Sequence, residues 1–179
     1  MIKGEIISAI KNTEDLKVAL NTKVDSIFLL KTNIEIIADE ISLAHNAGKK
    51  IFVHIDLAEG IGKDEYGVRH LKNLGADGVI STKTNVIKIA KKLGMFTIQR
   101  FFIVDSQSID TTVETVSASK ADVIEIMPGI LFKVIKRVKD LELAPIVAGG
   151  IIETEQEIKE ALFSGAIAVS TSKKELWNK

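Results

Sequence analysis

A compact α/β barrel of the (β/α)8 type, small for its class, is the fold this 179-residue sequence predicts. Three observations predict it. Short apolar runs recur eight times, a segment of helical periodicity follows nearly every run, and the chain closes on two small-residue turns after the seventh and eighth runs. Alternation of strand and helix places parallel strands between a core and a helical layer.

The runs begin near Ile6, Ser26, Ile51, Asp77, Met95, Asp122, Pro145 and Ala166. They are rich in Ile, Val and Phe and mostly apolar on both faces, as strands buried on both sides must be. Between them, Ile34, Ile37, Ile41 and Ala44 form one helical stripe, and Ile109, Val113 and Val116 another. Thr154 followed by Glu157 reads as a capping box ahead of Ile158, Ala161 and Leu162. Gly48, Gly75, Gly94 and Gly165 stand where helices should stop. Barrels of this kind typically take about 250 residues, so some units here must be minimal. The first helix, Thr13 to about Leu20, spans two turns. An open doubly wound sheet is the alternative, but the early glycine-rich fingerprint of the dinucleotide-binding type is missing. With no linker or low-complexity tract, residues 1–179 read as one domain.

Composition narrows the function. The 24 basic and 24 acidic side chains cancel, which removes long-range attraction to nucleic acid or acidic membranes but leaves room for a local patch. The absence of cysteine excludes disulfides, thiolate metal sites and a cysteine nucleophile. His45, His54 and His70 are too scattered for a zinc motif, so neither metal nor cofactor is expected. No apolar signal region opens the sequence and no run is long enough to span a bilayer, which makes a soluble cytoplasmic protein the expectation.

The candidate site lies where the strands end, since barrels carry function at that face. Gly149-Gly150 follows the seventh run, and Ser170-Thr171-Ser172 closes the eighth, ahead of a final helix near Lys173. Two adjacent turns facing helix N-termini offer unpaired amides and a favourable dipole to a phosphate dianion. The other strand ends supply His54 and Asp56, then Ser81, Thr82 and Lys83, then Gln99 and Arg100, and finally Glu125; strand one offers little. Glu125 lies inside an apolar run and needs a counter-ion, Lys83 or Arg100, or else a ligand hydroxyl. His54 suits either a hydrogen-bonded core position or a ligand contact, and Asp56 either a cap or the site. His45 and His70 are expected on helix surfaces. Of the lysine-rich helices, the one carrying Lys133, Lys136, Arg137 and Lys139 is the better candidate for RNA phosphates, although composition alone favours a solvated face.

An ordered set of motifs then emerges: His54-Ile55-Asp56-Leu57 with Glu59-Gly60 and Asp64-Glu65; Asp77 to Lys83; Thr97-Ile98-Gln99-Arg100; Asp105-Ser106; Glu125 to Gly129; Ala148-Gly149-Gly150; Gly165-Ala166; Ser170 to Ser172; and Leu176-Trp177. Together these resemble the glycerol-3-phosphate-responsive antiterminator family, regulators of glycerol uptake operons, over nearly the whole chain. The resemblance implies a barrel-fold regulator rather than an enzyme, which binds glycerol-3-phosphate and then leader mRNA to prevent premature transcription termination. It assigns the phosphate to Gly149, Gly150, Ser170, Thr171 and Ser172. The glycerol hydroxyls or the charge balance fall to Glu125 with Lys83, Arg100 or His54. Two departures bear on the effector: Thr32-Asn33 stands in place of a Gly-acid pair, and a proline expected near Phe132 is missing. The rival reading is an isomerase or aldolase-like enzyme acting on a small phosphorylated substrate, with Lys83 as Schiff-base or electrophilic lysine and Glu125 as acid–base group.

Overall fold

Eight parallel strands close into a barrel in the computed structural model, which describes residues 2–179. They are Ile6–Ile10 (β1), Ser26–Leu29 (β2), Lys50–His54 (β3), Gly78–Ser81 (β4), Phe96–Phe102 (β5), Val123–Met127 (β6), Ile146–Gly149 (β7) and Ala168–Thr171 (β8). Each pairs with its sequence neighbours, and β8 closes on β1. Seven α-helices alternate with them: Thr13–Leu20 (α1), Ile37–Asn46 (α2), Glu65–Asn73 (α3), Thr84–Lys92 (α4), Ser106–Ser119 (α5), Phe132–Lys139 (α6) and Glu155–Phe163 (α7). A two-residue parallel ladder, Thr32–Asn33 with Ala58–Glu59, ties the loops that follow β2 and β3. The unusual economy of the chain lies in its last unit. Where an eighth helix is expected, near Lys173, there is only a single 3₁₀ turn, Lys174–Leu176.

The pleat divides the apolar side chains between two compartments. Outward-facing Ile27, Leu29, Ile51, Val53 and Val79 pack under α1 to α4, and Ile124, Ile126, Ile146, Ala148 and Val169 under the later helices. Complete burial of each such aliphatic side chain contributes about 1.5–3 kcal/mol of transfer free energy. The strand register sorts the inward side chains into layers of four from alternate strands. Ile7, Phe52, Ile98 and Val147 form one layer; Phe28, Ile80, Glu125 and Ser170 form the next. Above them, at the C-terminal mouth, come Ala9, His54, Arg100 and Gly149. The barrel is therefore apolar below and polar at its mouth.

At the opposite end, two aspartates clamp neighbouring strands. Asp77 accepts from the Ile51 amide (2.9 Å), Lys50 Nζ (2.7 Å) and the His45 ring (2.9 Å). Asp122, in the equivalent place before β6, accepts from the Thr97 amide (2.9 Å), the Thr97 hydroxyl (2.7 Å) and Lys91 (2.6 Å). Burial pushes both carboxyls up, but these donors outweigh it and hold both below the usual range.

Helix starts follow local chemistry. Asn12, Asp64, Asp105 and Thr154 cap α1, α3, α5 and α7, and the last two complete capping boxes with Ser108 and Glu157. Three expectations need correction. Ile34 lies outside α2 and is half exposed, because Asn33 Oδ1 accepts from the Glu35 and Ile36 amides and holds that stretch in a turn. In α5 the buried face is Ile109, Thr112, Val116 and Ser119, with Val113 only partly covered. His70 is half-buried rather than on the surface, and its Nε2 is enclosed without a partner.

Candidate ligand cleft at the barrel mouth

Glu125 is the pivot of the mouth. It is completely buried, and its carboxylate accepts from Arg100 Nε at 2.6 Å and from Ser170 Oγ at 2.7 Å. Adjacent strands bring the first pair together, because Arg100 and Glu125 stand opposite one another in the β5–β6 register. Ser170 reaches Glu125 across β7, where Gly149 has no side chain to intervene. A Cβ on Gly149 would lie 2.3 Å from Glu125 Oε1 and 2.7 Å from Ser170 Oγ. Charge-assisted hydrogen bonds of this kind are short and strong, and both carboxylate oxygens are engaged.

Above this triad opens a cleft of about 190 Å³. Its lining includes Ala9, Arg100, Glu125 and Ser170 at depth, the loop from Gly150 to Glu153 on one wall, and Ser172 and Lys173 on the other. The last two crossovers therefore converge, and Thr171 fastens them: its hydroxyl donates to the Ile152 carbonyl (2.7 Å) and accepts from the Lys173 amide (3.1 Å). Gly150 turns with φ +75°, and the next residue, Ile151, also takes a left-handed backbone, φ +58°. A β-branched residue rarely adopts that conformation and does so only where the surroundings impose it. Lys11, at the end of β1, lines the cleft and has no carboxylate partner among the described residues, while Lys173 pairs with Glu153 at 3.2 Å. Three cations thus face two carboxylates, an excess of positive charge suited to an anionic ligand.

Only one of the two helix N-termini expected to face a phosphate is formed, that of α7. Glu157 accepts from the Glu153 and Thr154 amides at 2.7 and 2.9 Å, so the loop amides just ahead of α7 are already engaged by a carboxylate. After β8 there is one 3₁₀ turn rather than a helix. The site rests on side chains and convergent loops instead.

The sequence-predicted residues divide into two groups. Arg100, Glu125, Gly150, Ser170, Thr171 and Ser172 line the cleft; Gly149 lies beneath it and makes room for the carboxylate. His54, Asp56 and Lys83 form no part of its lining. Arg100, not Lys83, neutralises Glu125, and Lys83 is exposed at the start of α4. Asp56 instead joins the loops after β3 and β4, accepting from Ser81 Oγ (2.7 Å), the Thr82 amide (2.7 Å) and the Thr82 hydroxyl (2.8 Å). Burial raises its pKa, but the nearby His54 ring and these donors together hold it well below the usual carboxylate range. His54 Nε2 lies 3.7 Å from Asp56, too far for a hydrogen bond, and neither ring nitrogen has a partner.

Neither departure noted in the sequence faces the cleft. Thr32 donates to buried Glu40 at 2.6 Å, and Phe132 is half-buried at the start of α6. Burial pushes the Glu40 carboxyl up, and the Thr32 and Thr13 hydroxyls offset part of that. Lys133, Lys136 and Arg137 are exposed on α6, away from the cleft, with Arg137 3.6 Å from Asp110. Reasoning from sequence missed Lys11, Glu153 and Lys173. Lys11 had a usable signal, being the first charged residue past the end of an apolar strand.

The profile of the glycerol-3-phosphate responsive antiterminators matches residues 6–177. The chain belongs to that family. Among antiterminator-related structures, the glycerol uptake operon antiterminator regulatory protein of Listeria monocytogenes superposes with a TM-score of 0.93 at 34% identity, covering 98% of this chain and 95% of its own. The glycerol uptake operon antiterminator-related protein of Thermotoga maritima gives a TM-score of 0.88 at 32% identity, covering 99% of each chain. A protein of Escherichia coli called uncharacterized protein YgcP is 37% identical over 98% of this chain and 92% of its own. Among the described residues, no helix is long and apolar enough to cross a membrane.

Proposed function

We propose that this chain is a cytoplasmic, ligand-responsive transcription antiterminator of a glycerol uptake or metabolism operon, which binds glycerol-3-phosphate in the mouth cleft and then the leader mRNA. The observation that carries the reading is the buried Arg100–Glu125–Ser170 triad beneath an electropositive cleft built by the last two crossovers. Buried charge is costly unless paired or recruited by a ligand, and here it is paired yet still faces an opening.

In this reading the phosphate lies between Lys11, Lys173, Ser172 and the Gly150–Ile151 turn. The glycerol hydroxyls meet Arg100, Glu125 and Ser170, which offer both donors and acceptors. The strained Ile151 backbone gives the ligand something to act on, because an effector shifts an equilibrium only through differential affinity for its two states. Lys133, Lys136 and Arg137, three and four residues apart on α6, are the proposed phosphate contacts for RNA. The enzyme reading loses its principal residue, since Lys83 is exposed and outside the cleft.

The experiment is a titration of leader RNA at low salt, with and without glycerol-3-phosphate. Affinity that rises at least tenfold with the ligand supports the reading. RNA binding too weak to measure under both conditions sinks it.

A further inference from the structure

Every seam of the barrel except one is roofed by an α-helix. The exception is the seam between β8 and β1, where α7 and α1 stand apart with only the Lys174–Leu176 turn and Trp177 between them. Trp177 plugs part of the gap, buried and donating from Nε1 to the Thr171 carbonyl at 2.9 Å. Beside it remains a cleft of about 360 Å³, with Ile6, Val24, Ile158, Leu162 and Trp177 as its apolar lining.

Exposed apolar side chains occur on α7, just before β8 and on α1, the elements on either side of this seam. Phe163 ends α7 and is 95% exposed; Ile167 is 47% exposed just before β8. Val18, 41% exposed, lies three residues beyond Asp15 on α1, whose carboxylate meets Lys174 of the closing turn. Phe163 itself stands four residues after Lys159, a residue of the cleft rim, and continues that stripe of α7. Isolated exposed hydrophobics are ordinary, but a phenyl ring held in water beside an unfilled apolar slot is a paired feature.

We propose that this seam is a self-association surface, at which two copies of the chain pack α7 against α7 about a two-fold axis and each Phe163 enters the other's slot. A second copy fits better than an unrelated partner for two reasons. An isologous contact needs one patch to carry both halves of its complement, and here knob and hole sit on the same helix. The rim also carries Glu5, Asp25 and Glu155 against Lys23, Lys159 and Lys179, of which Glu155 and Lys179 pair with each other at 2.9 Å. The remaining two charges of each sign allow a half-turn to bring opposite charges together without net repulsion. An aromatic anchor entering a partly apolar pocket ringed by polar groups is the anatomy of an energetic hot spot. The shared helix layer then supplies the cover that an eighth helix gives in longer barrels.

The test is sedimentation velocity of the full chain over a range of concentrations, comparing wild type with Phe163→Glu and with Tyr66→Glu. Tyr66 is 83% exposed on α3, far around the barrel, and serves as the control. Because both changed side chains are exposed, circular dichroism should show unaltered folds. A wild-type dimer whose dissociation constant rises at least tenfold in Phe163→Glu, and is unchanged in Tyr66→Glu, is the expected result. A wild type that stays monomeric at every concentration overturns the proposal, as does a dimer indifferent to Phe163→Glu or equally sensitive to the control.

Discussion

Replacing Arg100 with Met is expected to lower stability by about 3–5 kcal/mol, read as a reduced urea midpoint, because it leaves a buried carboxylate without its counter-charge. Glu125 is fully enclosed, and only Ser170 Oγ would remain as its donor. The double variant Arg100→Met, Glu125→Leu should recover most of the loss, since a buried ion pair replaced by apolar groups of similar size is often close to neutral. The contrast between single and double variants separates two roles. If the pair is maintained for ligand contact, the double variant folds but fails to bind. A single variant as stable as the wild type would mean that the carboxylate is not charged or not enclosed.

Gly149→Ala is expected to cost about 1–3 kcal/mol through overpacking, despite the small size of the added group. The new Cβ meets Glu125 Oε1 at 2.3 Å and Ser170 Oγ at 2.7 Å. Neither can retreat without breaking their mutual 2.7 Å hydrogen bond or the 2.6 Å bond to Arg100. Gly150→Ala has a different origin for its cost. Its obstacle is the flexible end of Met127, so most of the penalty is the left-handed backbone, roughly 1–2 kcal/mol. Thermal melts of the two variants, with a ligand-binding readout, should show Gly149→Ala damaging the triad while Gly150→Ala changes the loop.

These two glycines illustrate what was legible in the sequence and what was not. The double glycine marked the correct place, the end of β7, but its spacing could not say that one glycine makes room for a hydrogen bond between side chains of the two strands on either side of it. The eight strands were readable because parallel strands buried on both faces become continuous Ile- and Val-rich runs. The Thr154–Glu157 box and the helix-stopping glycines were readable because they act within a few residues. Partner choice was not. Lys83 and Arg100 both offer a positive charge on paper, and only the β5–β6 register sets Arg100 opposite Glu125. Nor could periodicity show that the final helix shrinks to a single turn. Lys11 went unnoticed because a lysine just ahead of a helix start reads as solvated, yet barrel closure brings it beside β8 and the cleft.

Selection of a phosphorylated small polyol by the mouth cleft is decided by isothermal titration calorimetry of the full chain against glycerol-3-phosphate and glycerol. Glycerol-3-phosphate is expected to bind at least tenfold more tightly than glycerol, about 1.4 kcal/mol contributed by the phosphate. Equal affinities, or no heat from either compound, would contradict it.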